Sequence, residues 1–151
     1  MERVAFGLVA AIFVSSLHKV LPRGRQLGLH RLREHARKLG FIVERQQGSG
    51  RDVALEGCVG SRLALEKCPM AEEFSYRRTD AGWARQFGAT GPSCLAEVLA
   101  ELPANVAGLD RSSFSLSVYW VEPEETQALD RLFVTLQPLH GLPVGTCGVT
   151  R

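Results

Sequence analysis

Positions 4–17 of this 151-residue chain carry no charge and are mostly apolar, and positions 4–14 offer none of the polar face a soluble helix shows. As a helix this stretch spans roughly 21 Å, short of the ~30 Å hydrocarbon core of a bilayer. Continued to Leu21 it reaches 18 residues and roughly 27 Å. That length spans if Lys19 carries its ammonium back to the interface, with Pro22 ending the helix. Gly7, Ala11 and Ser15 recur every four residues and form the kind of small-residue stripe that lets membrane helices pack closely.

The spacing then changes. In "RQLGLHRLREHARKLG", Leu29, Leu32, Ala36 and Leu39 lie on one stripe, with Gly40 at the C-terminal cap. His30, Arg31, Arg37 and Lys38 lie on the other side, and Glu34 is spaced to pair with Lys38. This is a basic amphipathic helix suited to an anionic lipid surface or to packing on a domain.

From Phe41 onward strand-like patterns dominate. "FIVERQQGSGRDVALEG" reads as a β-hairpin turning at Gln47–Gly50, and "SRLALEKC" as either strand or short helix. "EEFSYRRT" and "WARQF" read as strands around an Asp80–Gly82 turn. "SCLAEVLAELP" predicts a helix with Ser93 as cap and Pro103 as stop. "SSFSLSVYWVE" alternates most clearly, with Phe114, Leu116, Val118 and Trp120 on one face. A last helix is predicted from Pro123 to about Leu136, with Leu129, Leu132, Phe133 and Leu136 as its stripe. A block of strands followed by helix–strand–helix points to an α+β two-layer domain with a mostly antiparallel sheet and two packing helices. One parallel strand pair fits the ending.

An apolar content of 45% supports a real core and argues against a disordered chain. The net charge of +2 is unevenly spread: ten Lys/Arg against three Asp/Glu make residues 1–51 +7, and eight against thirteen make the rest −5. The basic third sits beside the apolar run. Export with cleavage of that run would require a small-residue cleavage site, for which Ser15-Ser16 is a poor substitute. A retained anchor fits better, and the excess of Lys19, Arg23, Arg25, Arg31 and Arg33 downstream places the following domain on the cytoplasmic side. Lys19, Arg23, Arg25, Arg31, Arg37 and Lys38 are then the expected lipid-headgroup contacts. The organisation is an anchor at 1–22, a basic juxtamembrane helix at 23–40, the α+β domain at 41–137 and a Pro/Gly-rich tail at 138–151.

Candidate chemistry is sparse. Cys58, Cys68, Cys94 and Cys147 are scattered without CxxC spacing, which permits disulfides after export and reads as reduced thiols in a cytosol. "SLHK" (16–19) matches S-x-x-K only at the end of the apolar run, and "GSGR" (48–51) lacks the lysine of a phosphate loop. His30 and His35 are five residues apart, the wrong spacing for a shared metal. Tyr76, Trp83, Tyr119 and Trp120 invite comparison with a base-stacking surface, but they lie in the acidic part of the chain, which opposes phosphate binding. No cofactor and no nucleic-acid partner is expected.

The short span, "LPRGRQ", the Arg-rich helix ending "KLGFIVE", the "FSYRRT" strand followed by Trp83, "SVYWVEPEE" and the Leu-rich last helix form a layout that covers most of the chain. It resembles uncharacterised single-pass membrane proteins of proteobacteria. The resemblance implies a bacterial inner-membrane protein and carries no activity or functional residue. The sequence therefore suggests a membrane-tethered, non-enzymatic interaction module whose partners are the anionic membrane surface and another membrane protein or a second copy. The alternatives are a small anchored enzyme or ligand-binding domain, and an exported domain.

Overall fold

The alternation in "SLSVYW" puts Leu116, Val118 and Trp120 on one side of a strand, and all three are buried in the computed structural model, which describes residues 24–45 and 52–140. That strand, β6 (Ser115–Trp120), stands between β2 (Val59–Ala64) and β5 (Val106–Ser112). β1 (Phe41–Arg45) lies outside β2, and β3 (Phe74–Thr79) and β4 (Gly82–Gly88) lie outside β5. All five pairings are antiparallel, so the parallel pair allowed by the sequence is absent among the described residues. In chain order the sheet is three strand pairs, the third inserted between the first two.

Residues directly opposite one another across an antiparallel pair share a face. Phe41, Leu63 and Leu116 form one such row, and Leu109 and Val118 another. Three helices cover this face: α1 (24–38), α2 (Leu95–Glu101) and α3 (Thr126–Leu136). Leu32 and Ala36 of α1, Leu95, Val98 and Leu99 of α2, and Leu129, Leu132 and Leu136 of α3 join the strand residues in one core. The domain is α+β and two-layered, with three packing helices where the sequence suggested two. The basic amphipathic helix is the third, because its apolar stripe docks on the sheet.

Several local readings change. Val53–Leu55 is a 3-10 turn, not a hairpin strand, and the partner of β1 is β2 from the ambiguous "SRLALEKC". The Asp52 carboxylate accepts the Ala54 N–H and caps that turn, so Leu55 is buried while Val53 stays exposed. β5 is an additional strand; a bulge between Val106 and Gly108 shifts its alternation and hides it from a period of two. Phe114 belongs to the β5–β6 turn and is 61% exposed, since β6 begins only at Ser115. α2 starts after Cys94 without a side-chain cap from Ser93, and α3 starts at Thr126, three residues beyond Pro123.

The anchor at 1–22, with Gly7, Ala11, Ser15 and Lys19, lies outside the described residues, as do Arg23, "GSGR" and residues 141–151 of the tail. Among the described residues no helix is long and apolar enough to cross a membrane.

Candidate functional site

α1 is fixed from two directions. Its apolar stripe is in the core, with Leu32 at 1% and Ala36 at 2% exposure. Its flank is tied by Arg33, whose Nε donates to Glu122 Oε1 at 3.0 Å and whose second nitrogen also reaches that carboxylate. The hydrogen bond to Glu122 raises the Arg33 pKa against the opposing effect of burial. His35 Nε2 meets Asp130 Oδ1 of α3 at 2.6 Å. Arg33, counted from the sequence as part of the free basic charge, is therefore committed to an internal pair.

Arg25, Arg31, Arg37 and Lys38 remain exposed on the outer side of α1. Arg25 lies 3.7 Å from Glu124, and Glu34 pairs with His30 at 3.3 Å instead of with Lys38. The two histidines thus face separate carboxylates. Among the described residues no group of three or more His, Cys, Asp or Glu could hold a metal ion.

The sheet face away from the helices carries a buried polar network that the sequence did not disclose. Arg77, 8% exposed, donates through Nε to Asp52 Oδ2 at 2.8 Å and through its terminal nitrogens to Asp110. The Ser75 hydroxyl donates to Asp110 Oδ1 at 2.6 Å. Burial alone would lower the Arg77 pKa, but its bonds to Asp110 and Asp52 outweigh that and hold it above the ordinary value. The guanidinium lies 5.2 Å from the Tyr119 ring centroid, a cation–π distance. Glycine makes the stacking possible: a Cβ at Gly108 would come within 3.0 Å of Leu55 and 3.1 Å of the Arg77 guanidinium, and one at Gly60 within 3.4 Å of the Tyr119 ring. Paired acid and base satisfy each other here, which makes the network a structural device and not an open site.

A third feature is an apolar groove of about 480 Å³ between β3–β4 and α2. Tyr76, Trp83, Leu95 and Leu99 line it, and Ala96 and Ala100 keep the helix wall low. Trp83 Nε1 donates to the Leu99 carbonyl at 2.8 Å and the Tyr76 hydroxyl to the Thr90 carbonyl at 2.9 Å. Arg78 donates to the carbonyls of Leu102, Pro103 and Val106 and stacks 4.6 Å from the Trp83 ring. These bonds hold the helix against the edge of the sheet.

The four aromatic residues do not form one surface. Trp120 is in the core with Nε1 donating to Ser61, Tyr119 covers Arg77 on the opposite face, and Tyr76 and Trp83 line the groove. Cys58 and Cys68 are free and buried, and burial pushes the Cys58 thiol up. Cys94, between two groove-lining residues, is disulfide-bonded. Comparison with protein-family models, curated proteins and solved structures finds no match to the chain.

Proposed function

We propose that the chain is a membrane-tethered, non-enzymatic interaction or accessory module of a bacterial inner membrane, its N-terminus outside and its domain at the cytoplasmic face. The observation that carries this reading is α1. It follows the apolar run directly, is locked into the core through Leu32 and Ala36, and turns Arg25, Arg31, Arg37 and Lys38 outward. A domain held this way meets the headgroups with one fixed side, each cation contributing about 1 kcal/mol near an anionic surface. Gly7, Ala11 and Ser15 supply a contact for a second membrane helix, from a partner protein or another copy.

An exported domain is the second reading, favoured by the disulfide at Cys94, since persistent disulfides belong to oxidising compartments. One experiment separates the two. Cys58 and Cys68 are buried and report poorly, so a cysteine is placed at exposed Glu101 (Glu101→Cys) and probed with an impermeant maleimide in intact cells. The tethered cytoplasmic module stays in the carbonate-washed membrane and is labelled only after lysis. Labelling in intact cells overturns the orientation; loss of residues 1–22 from the mature chain overturns the tether.

A further inference from the structure

α1 and α3 lie side by side and run in the same direction. Arg25 is 3.7 Å from Glu124, and a Cβ at Gly28 would come within 3.5 Å of the Glu124 Cβ. Arg31 shares a surface depression with Thr126 and Gln127, and His35 meets Asp130 at 2.6 Å. The contacts advance together along both helices, so their outward sides form one face. At about 100° per residue, Leu27, Arg31 and Lys38 of α1 fall within roughly 40° of one another, opposite the buried Leu32. On α3, Gln127, Arg131 and Val134 are grouped in the same way opposite the buried Leu132 and Leu136.

We infer that this two-helix face seats the domain on anionic phospholipid, with Arg31, Lys38 and Arg131 at the phosphates and Leu27 and Val134 entering among the acyl chains. The inference rests on the membrane reading of α1 and adds α3 to the contact. Leu27 is 51% exposed and Val134 67% exposed, although both are large apolar side chains on helices whose other such residues are buried or half-buried. The pairing of His35 with Asp130 puts Val134 level with Leu39. Leu27 and Val134 are therefore about twelve residues of helix apart, roughly 18 Å along the axis, with the cations between them.

The charges on this face are unevenly engaged. Glu34 is spent on His30, Asp130 on His35 and Glu124 on Arg25, which leaves Glu125 as the exposed carboxylate nearby. Arg31, Lys38 and Arg131 are exposed and have no ion-pair partner among the described residues. A protein partner would have to supply carboxylates in register with three separate cations. Anionic headgroups diffuse to wherever the cations stand, and isolated apolar side chains beside them add burial below the headgroup level.

The test uses the full chain in proteoliposomes whose acyl chains carry bromine, which quenches tryptophan on contact. Trp83 and Trp120 of the unsubstituted chain set the baseline. Leu27→Trp and Val134→Trp should each be quenched beyond it when the vesicles contain phosphatidylglycerol, and not in phosphatidylcholine alone. Val53→Trp, at an 84% exposed position on the far side of the sheet, should stay at the baseline. Arg31→Glu, Lys38→Glu and Arg131→Glu together should abolish the gain of Val134→Trp while far-UV circular dichroism stays unchanged. Baseline quenching of Val134→Trp in anionic vesicles overturns the inference, as does equal quenching in both lipids or at Val53→Trp. Shielding of Val134→Trp from acrylamide without quenching by bromine means that a second copy covers the face, and overturns it too. Carbonate extraction of the same samples reads the anchor separately: a chain that resists the wash with Val134→Trp at baseline keeps the tether and loses the docking face.

Discussion

Along β6, Leu116, Val118 and Trp120 alternate with Ser117 and Tyr119, and these two sets of neighbours end in opposite chemistry. The first set lies under three helices, in a core built of aliphatic and aromatic side chains. The second faces a side with no α-helix among the described residues, where the cover is the 3-10 turn at Val53–Leu55 and stability comes from pairing Arg77 with Asp110 and Asp52. Both sides are buried, but they are held differently. A dry face loses stability in proportion to the volume removed, whereas a paired face loses it when a charge is left alone.

The largest effects should come from breaking each face in its own way. Trp120→Ala removes a buried aromatic and is expected to cost about 3–5 kcal/mol in chemical denaturation. Arg77→Ala strands two carboxylates and should cost about as much, ~3–5 kcal/mol. The comparison is sharpened by repair: Arg77→Met with Asp110→Leu removes the buried pair, leaving Asp52, whose side chain is 42% exposed, to water, and should recover most of the loss. If the double variant is no more stable than Arg77→Ala, the network acts by shape and not by charge pairing.

Next in size are the glycines beneath the polar network. Gly108→Ala forces Leu55 and Arg77 aside and should cost about 1–3 kcal/mol. Gly60→Ala meets the Tyr119 ring at the looser distance and should cost less than about 1 kcal/mol. Equal losses would mean that the close approach of Arg77 to the backbone has no energetic role.

A pH scan gives a smaller, one-directional signal. Burial, then the nearby Asp110, raise the Tyr119 pKa above its ordinary 10.0, and burial raises Cys58 above 9.0. Both groups are held neutral in the fold and ionise first in the unfolded chain. Between the unfolded and folded values the folded state binds more protons, so stability falls as pH rises. The contribution is complete below about pH 9 and is lost through the raised folded values. Thermal melts should fall with increasing alkalinity, less steeply in Tyr119→Phe, and a steeper fall in that variant would contradict the assignment. The smallest effect is expected at the exposed Glu44–Arg62 pair, where Glu44→Ala should change stability by no more than about 0.5 kcal/mol.

The dry face was readable in the sequence because its signal is periodic. Leu129, Leu132 and Leu136 at helical spacing, and Leu116, Val118 and Trp120 at strand spacing, are the residues found buried. β5 escaped because its bulge breaks the period and because Gly108, Asp110 and Arg111 look like a loop in one dimension. The partner of β1 escaped for a related reason: Val53 and Leu55 alternate convincingly, but only the three-dimensional arrangement shows Leu55 closing over Gly108. Arg77 and Asp110 are thirty-three residues apart, and each alone is an ordinary polar residue on the outer side of a strand. Glycines inside strands were the available hint, since they mark places where something comes close to the backbone. The groove left no trace in the sequence because it depends on how Trp83 and Leu99 meet.

The insertion of β5 and β6 between the earlier strands has a kinetic consequence. β1 and β2 touch β3 and β4 only through a hairpin that leaves the ribosome after all of them. Four of the six strands therefore wait with an unpaired edge, β3–β4 until β5 emerges and β1–β2 until β6 does, and closure depends on contacts between distant parts of the chain, which form slowly. Nascent chains stopped before residue 120 should remain sensitive to protease and acquire protection together, in one step, once β6 and then α3 are available.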